Sequence, residues 1–427
     1  MDADTELKQH KIHHAWLVMI ACCALYATVG LLNNTQGLYY PAICADLGCK
    51  TSQFTITTVF NGLAAMVTLG IVDKVYKRFP TRIVLFLMVT LFSLSFVLRS
   101  FARSFVQFCV VYIIMGIASA FIIYVPIPML INKWFVRRRG LALGVSLLMS
   151  GVAASVSSPI INHFIDTIGW QKTGVINAVA AFLISGPVIL LFVRTSPEDV
   201  GLLPYGMKER DVRVWRNENQ NDPETPEKIR EKNKAKTERS KEETIKFVIC
   251  FVMAVALMLI AGIYHQFSNF SVSIGVGTAV GATLLSLNMI GNMVSKAVIG
   301  PCVDRFGGKK TMLCAFLLVI LSFIMMTLYI VPGFLYIGAF LTGIAAATNG
   351  IALPIMIGSF AEGDDYVYYT SKVAMGTMLS TAFITYIGSA IYDLCGTYAV
   401  EFIIYAVMQF ICIILMFILL KDKEEKK

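Results

Sequence analysis

Charge is what this sequence has least of. Asp, Glu, Lys and Arg make up 15% of its 427 residues, where a soluble chain carries about a quarter. A water-facing globular surface cannot be built from so few. The ten cysteines are scattered, with no C-x-x-C pair and no histidine spacing that would hold zinc. Cys44 and Cys49 share one loop and read as free thiols. No glycine-rich phosphate loop is present, which argues against direct use of ATP. No nucleophile, base and acid come together in the pattern of a catalytic site, so neither an enzyme nor a cofactor is expected.

Apolar residues are what it has most of, at 57%. They fall in continuous runs of about 20 residues, each long enough to cross about 30 Å of hydrocarbon. Continuous rather than alternating runs exclude a membrane β-barrel. Twelve spans are predicted, at 16–38, 53–72, 81–100, 104–130, 141–164, 172–193, 246–268, 277–302, 311–331, 334–358, 368–391 and 398–420. The stretch before the first, MDADTELKQHKIHH, leads into no small-residue cleavage site, so the first span is expected to be a retained helix rather than a signal peptide. The fold class is an all-α polytopic membrane protein.

Lysine and arginine set the orientation. With both termini inside, cytoplasmic loops hold Lys74, Lys77, Arg78, Arg82, Lys133, Arg137, Arg138, Arg139, Arg305, Lys309, Lys310 and the Lys-rich end. The opposite loops hold only Lys50, Arg99, Arg103 and Lys172, of which the two arginines read as interfacial anchors. The net charge of +9 therefore reflects topology and contact with lipid headgroups rather than nucleic-acid binding. A monomer in the cell membrane is expected.

The chain divides once. Residues 194–245 are rich in charge and poor in apolar side chains, and their second half reads as a flexible linker. They separate a bundle at 1–193 from a bundle at 246–427, each of six helices. The halves resemble each other: DKVYKRFPTR answers DRFGGKKT, GIASAFIIYVPIP answers GIAAATNGIALPI, and NNTQGLYYP answers YHQFSNF, in the same order. Two pseudo-symmetric six-helix bundles place a binding site near the middle of the membrane, between the halves.

GPCVDRFGGKK, with Gly300, Asp304, Arg305, Gly307, Lys309 and Lys310, resembles the loop signature of the major facilitator superfamily. The first-half copy keeps Asp73 and Lys74, but Gly70 stands one place late and Tyr76 replaces a glycine. NKWFVRRRGLALGVSLLMSG, then Gly169–Trp170 and the Pro197–Gly201 run, resembles the monocarboxylate transporter and oxalate/formate antiporter branch. The resemblance implies alternating access, with Asp304, Arg305, Asp73, Lys74, Arg138 and Arg139 in gating contacts. It also implies a substrate carboxylate bound at the eighth helix, where Lys296 stands in place of the usual arginine and keeps the charge without the bidentate fork.

The residues point the same way. Asn288, Asn292 and Lys296 recur at i+4 and share one helical face, which lipid could not satisfy. Lys372, in the eleventh span, is a second candidate cation, with snorkelling to the interface as the alternative. His265 is a titratable candidate on the seventh helix. Asn33, Gln36, Tyr124 and Asn349 lie on helices that line the cavity in the family resembled. Two cations facing one cavity would favour a dianion. No aspartate or glutamate is read deep in any span, and Asn292 stands where proton-coupled relatives carry aspartate, so exchange is expected over strict proton symport. The expected function is a secondary or exchange carrier, an antiporter, of small organic anions, mono- or dicarboxylates. Proton-coupled symport, carriage of a drug, sterol-like acid or sugar, and a non-transporting sensor remain as alternatives.

Overall fold

A computed structural model describes residues 13–123, 125–207, 241–358, 360–361 and 363–420. Long apolar runs have one economical conformation where water is absent, because a helix satisfies its backbone within the segment. The helices are α1 (His14–Leu47), α2 (Thr51–Arg78), α3 (Thr81–Phe101), α4 (Phe105–Ile123, resumed at Pro126–Trp134), α5 (Arg139–Ile168) and α6 (Trp170–Phe192). The second set is α7 (Glu243–Ser273), α8 (Thr278–Phe306), α9 (Gly308–Thr327), α10 (Pro332–Ile357), α11 (Gly363–Cys395) and α12 (Ala399–Leu420). Eleven of these are long and apolar enough to cross a membrane, and α10 contributes a shorter apolar stretch, Gly333–Thr348. The chain is a multi-pass integral membrane protein.

The first helix of each half is broken at the same relative place. α1 passes through a π turn at Gly30–Asn34 and a 3-10 turn at Gln36–Tyr39 before resuming at Tyr40. α7 passes through a 3-10 turn at Gly262–Gln266 and resumes at Phe267. These breaks carry both helices past their predicted ends, 38 and 268, to Leu47 and Ser273. They also bring the halves together: a Cβ on Gly37 would lie 2.5 Å from the carbonyl oxygen of His265. Small residues permit the other close crossings. Gly116 of α4 packs on the Asn61 backbone of α2, and Gly291 of α8 packs on the Phe340 backbone of α10.

The segment after α6 is shorter as a linker than its composition implied. Residues 194–207 fold back on the N-terminal half. Val136 and Arg137 donate to the Tyr205 carbonyl at 3.1 Å each, Tyr205 donates to Trp134 O at 2.8 Å, and the Trp134 indole donates to Arg194 O at 3.1 Å. Tyr205 also packs edge-on against Trp16. Pro197 and Pro204, both buried, and the half-buried Tyr205 are enough to dock a short polar run. The rest of the predicted linker, up to 240, lies outside the described residues.

With an even number of helices, the start of α1 and the end of α12 share one end of the bundle, here the termini end; the other is the far end. The N-terminal half has its own termini-end core, including Val18, Leu25, Phe92 and Trp134. At the far end its buried residues Tyr39, Phe54, Tyr112, Ile161 and Trp170 belong instead to one continuous core with the C-terminal half. The halves are fused at the far end.

Candidate functional site

Two seams close that far end. Between α5 and α8, Ser286 Oγ donates to Ser155 O at 2.8 Å, and Gly151 packs against Met293. Nearer the end, Asn162 Nδ2 donates to Asp166 at 2.9 Å and to Thr278 Oγ1 at 3.3 Å, while Thr278 Oγ1 donates to Asp166 at 3.4 Å. Between α2 and α11, Gly62 crosses Ala382 backbone to side chain, and Asp393 accepts from Ser52 N at 3.4 Å and from Ser52 Oγ. The two latches are related by the internal repeat. Each pairs a hydroxyl in the first turn of α2 or α8 with an aspartate in the last turn of α11 or α5. Both aspartates begin an Asp-x-x-Gly run, and the glycines, Gly169 and Gly396, end their helices at φ +83° and +71°. Only glycine adopts that backbone without strain. The Asp-x-x-Gly repeat was present in the sequence and marks the latches.

Below the α2–α11 crossing lies a small, partly open cavity of about 50 Å³. Amides and hydroxyls from Asn33, Asn61, Ser119 and Thr381 meet thioethers from Met66 and Met378 on its wall. No charge lines it. Asn33 is held by Gln36, whose Nε2 lies 3.3 Å from Asn33 Oδ1. Gln36 itself is 5% exposed and buried against Met115, so it positions Asn33 rather than facing the cavity.

Lys296 lies on the inner side of α8. Ile290, Val294 and Val298 form the exposed apolar stripe of that helix, at 40%, 46% and 51%. At about 100° per residue, Lys296 stands about 160–200° round from Val294 and Val298. Its side chain is exposed on a face bounded by the α5 contact on one side and the α10 contact on the other. Among the described residues no ion pair or hydrogen bond engages it. One turn back, Asn292 keeps Oδ1 buried and without a partner. Asn288 departs from the expected stripe: it is 2% exposed and donates to Thr342 Oγ1 of α10 at 2.8 Å, so it joins two helices.

Lys372 is not brought to the same place. It shares its face with the exposed Met375 and Leu379, one and two turns on, whereas the cavity residues Met378 and Thr381 lie about 120–180° round the helix. That is the position of a cation reaching along an apolar face to the interface, and the two-cation cavity is withdrawn. His265 sits in the α7 break, its ring 4.1 Å from that of Tyr264 and its Nδ1 buried without a partner. Tyr124 and the side chains of Asn349, Asp73 and Asp304 lie outside the described residues. Lys74 and Arg305 are exposed, Arg305 over the Phe306 ring at 5.4 Å. Arg138 starts α5 at φ +62°, and Arg139 donates to Phe135 O at 3.1 Å and Asn132 O at 3.2 Å, capping the end of α4.

Two buried charges contradict the sequence reading. Arg99 is an interior residue, 0% exposed, and not an interfacial anchor. Its guanidinium stacks 4.3 Å from the Tyr39 ring and 4.8 Å from Phe96, beside the hydroxyls of Tyr39 and Tyr112, and among the described residues no carboxylate reaches it. Glu401, in the first turn of α12, is also 0% exposed, with the Tyr405 hydroxyl one turn on as its polar neighbour and, among the described residues, no counter-charge. The spans are therefore not free of carboxylate, and the argument from its absence fails. A lone glutamate three residues into the most apolar stretch of the chain was the available signal.

A sequence profile of the Major Facilitator Superfamily matches residues 22–283 and 244–427. An MFS-type transporter, pynF, of Aspergillus niger is 29% identical over 43% of this chain and 43% of its own. Monocarboxylate transporter 11 of Homo sapiens is 27% identical over 36% of this chain and 33% of its own. Monocarboxylate transporter 12 of Xenopus laevis is 22% identical over 71% of this chain and 66% of its own. The chain thus matches from a third to two thirds of these relatives' lengths. Among solved structures, a point mutant of the nucleoside transporter NupG superposes with TM-score 0.70 at 12% identity, over 95% of this chain and 99% of that one. A bacterial homologue of the human lysosomal transporter Spinster, inward-facing and unoccupied, gives 0.66 at 14% identity, over 96% and 98%. At these identities the superpositions speak for the fold alone.

Proposed function

Because the chain belongs to the Major Facilitator Superfamily and is a transporter rather than an enzyme, we propose that it carries small organic monoanions by alternating access. Lys296 carries this reading: a solitary ammonium on the inner face of α8, beside the unpartnered Oδ1 of Asn292. A carboxylate is the simplest group that satisfies such a cation. With Lys372 on the Met375–Leu379 face, the site holds one positive charge, so a monocarboxylate leaves nothing unpaired while a dicarboxylate leaves one anion over. The likeness to monocarboxylate transporters supports the same substrate class.

In the described state the far end is latched, and the N-terminal half keeps a separate core towards the termini. With the lysine- and arginine-rich loops on the termini side, that end is cytoplasmic by the positive-inside rule. Exchange and proton-coupled uptake are both compatible with this arrangement now that a buried carboxylate is known.

The test is uptake of labelled lactate and malonate into proteoliposomes, with and without the same anion inside. One charge-assisted hydrogen bond is worth about 1.5–3 kcal/mol, or roughly 10–100-fold in affinity. Lys296→Gln should lose that much lactate uptake, and Lys296→Arg should keep part of it. Undiminished uptake by the glutamine variant would remove Lys296 from the site. A neutral polar solute is the second reading, favoured by the uncharged cavity wall of Asn33, Asn61, Ser119 and Thr381. Competition of lactate uptake by a neutral sugar, with Lys296→Gln unaffected, would decide for it.

A further inference from the structure

Glu401 is the buried ionisable group that anion carriage leaves unused. It lies where three helices of the C-terminal half converge. Gly388 of α11 makes room for it: a Cβ there would collide with Glu401 Oε1 and stand 2.7 Å from Gln266 Nε2. Gln266 is the last residue of the 3-10 turn that breaks α7, and it donates to Thr385 O at 2.7 Å and to Ser389 Oγ at 3.3 Å, both on α11. The carboxyl of α12, the break in α7 and the backbone of α11 therefore form one polar knot. The α7 break is also the segment that meets α1 at Gly37 when the far end is closed.

The groups around the knot give an ionised carboxylate no counter-charge. Its own helix brings Tyr405, whose hydroxyl faces the carboxyl, and Tyr398; around Tyr398 stand Tyr392 and Asp393 of α11, the latter already engaged by Ser52, and Cys44 of the far segment of α1. From α7, His265 precedes Gln266 and keeps its Nδ1 buried and unpartnered. α9 packs Phe323 over Phe402, and α9 and α10 carry no Asp, Glu, Lys or Arg in their far halves. Among the described residues no ion pair reaches Glu401. The first-turn amides of α12 favour negative charge, but that help is smaller than the cost of an unpaired carboxylate held from water.

We propose that Glu401 is a proton-binding site of the carrier, loaded in the far-closed state and emptied when α7, α11 and α12 loosen as the far end opens. In the closed state the carboxyl is the neutral acid, with no unmet charge. When water reaches it, the O–H bond breaks, the proton passes to water and the carboxylate is solvated. Opening of the α7 break and release of the proton are then linked events, and acid pH favours the closed state. The proposal rests on the carrier reading but not on the identity of the anion.

The full-length protein in lipid nanodiscs tests it without any substrate. Infrared difference spectra taken from mildly acidic to mildly alkaline pH should show a protonated-carboxyl band that disappears on alkalinisation in the wild type and is absent from Glu401→Gln. No such band in the wild type, or its survival in the variant, overturns the proposal. If Glu401→Gln does not fold, Glu401→Asp replaces it: a shifted titration midpoint supports the site, and an unchanged one overturns it. A second arm uses lactate uptake into proteoliposomes. An inward proton gradient should drive at least tenfold more accumulation in the wild type than in Glu401→Gln, while lactate–lactate exchange persists in both. Equal gradient-driven accumulation in the two overturns proton coupling through Glu401. Absence of any lactate transport rejects the anion instead, and the infrared result still decides the proton site.

Discussion

Removing the Asp393 latch should open the far end. Asp393 is half-buried and accepts from both the backbone and the hydroxyl of Ser52, at the first turn of α2. Hydrogen bonds to a charged acceptor are worth about 1.5–3 kcal/mol when buried. Partial exposure reduces this pair to roughly 1–2 kcal/mol, which is a factor of about 5–30 in the closed-to-open ratio. Asp393→Asn or Ser52→Ala should therefore shift the population by that factor. Asp166 is exposed and meets Thr278 only at 3.4 Å, so Asp166→Asn should move it by less than about fivefold. The seams share no residue, and the double variant should show the sum of the two effects. Spin labels at positions 50 and 394, both exposed, read the α2–α11 separation by electron–electron distance measurement in a background with the accessible cysteines replaced. A longer-distance population should grow in Asp393→Asn. An unchanged distribution in a variant that melts like the wild type would refute the latch, and equal effects of Asp166→Asn and Asp393→Asn would refute the ranking.

Arg99→Met should leave the melting temperature equal or raise it, because the guanidinium is buried without a counter-charge among the described residues, and stacking on Tyr39, about 0.5–2 kcal/mol, only partly offsets its desolvation. A large loss of thermal stability in detergent would show that a partner is met in another state. Lys372→Gln should leave the ratio of lactate to malonate uptake unchanged, and a changed ratio would return Lys372 to the substrate path.

The fold was legible because apolar runs of membrane length leave the backbone one solution, and because the halves repeat their loops in order. The α2–α3 and α8–α9 loop motifs located the family likeness, and the i+4 spacing of Asn292 and Lys296 put both on one face of α8. The same spacing misplaced Asn288, whose partner Thr342 lies on another helix and is invisible from α8 alone. It could not place Lys372 either, since a cation near a helix end meets interface or cavity according to which neighbours pack beside it. Composition hid the docking of 194–207, where a few aromatic and apolar contacts outweigh many charges.

The sequence by itself determined the all-helical membrane fold, the approximate places of its helices and which charges fall within apolar runs, because each follows from local hydropathy. Only the tertiary structure decided which of those charges are enclosed. Arg99 looked like an interfacial anchor and Glu401 drew no notice, yet both are completely buried. Burial depends on helices far apart in the chain, α1, α4 and α6 around Arg99, α7 and α11 around Glu401. The same holds for the latches: Ser52 and Asp393 stand 341 positions apart, and nothing short of the folded bundle could bring that hydroxyl to that carboxylate.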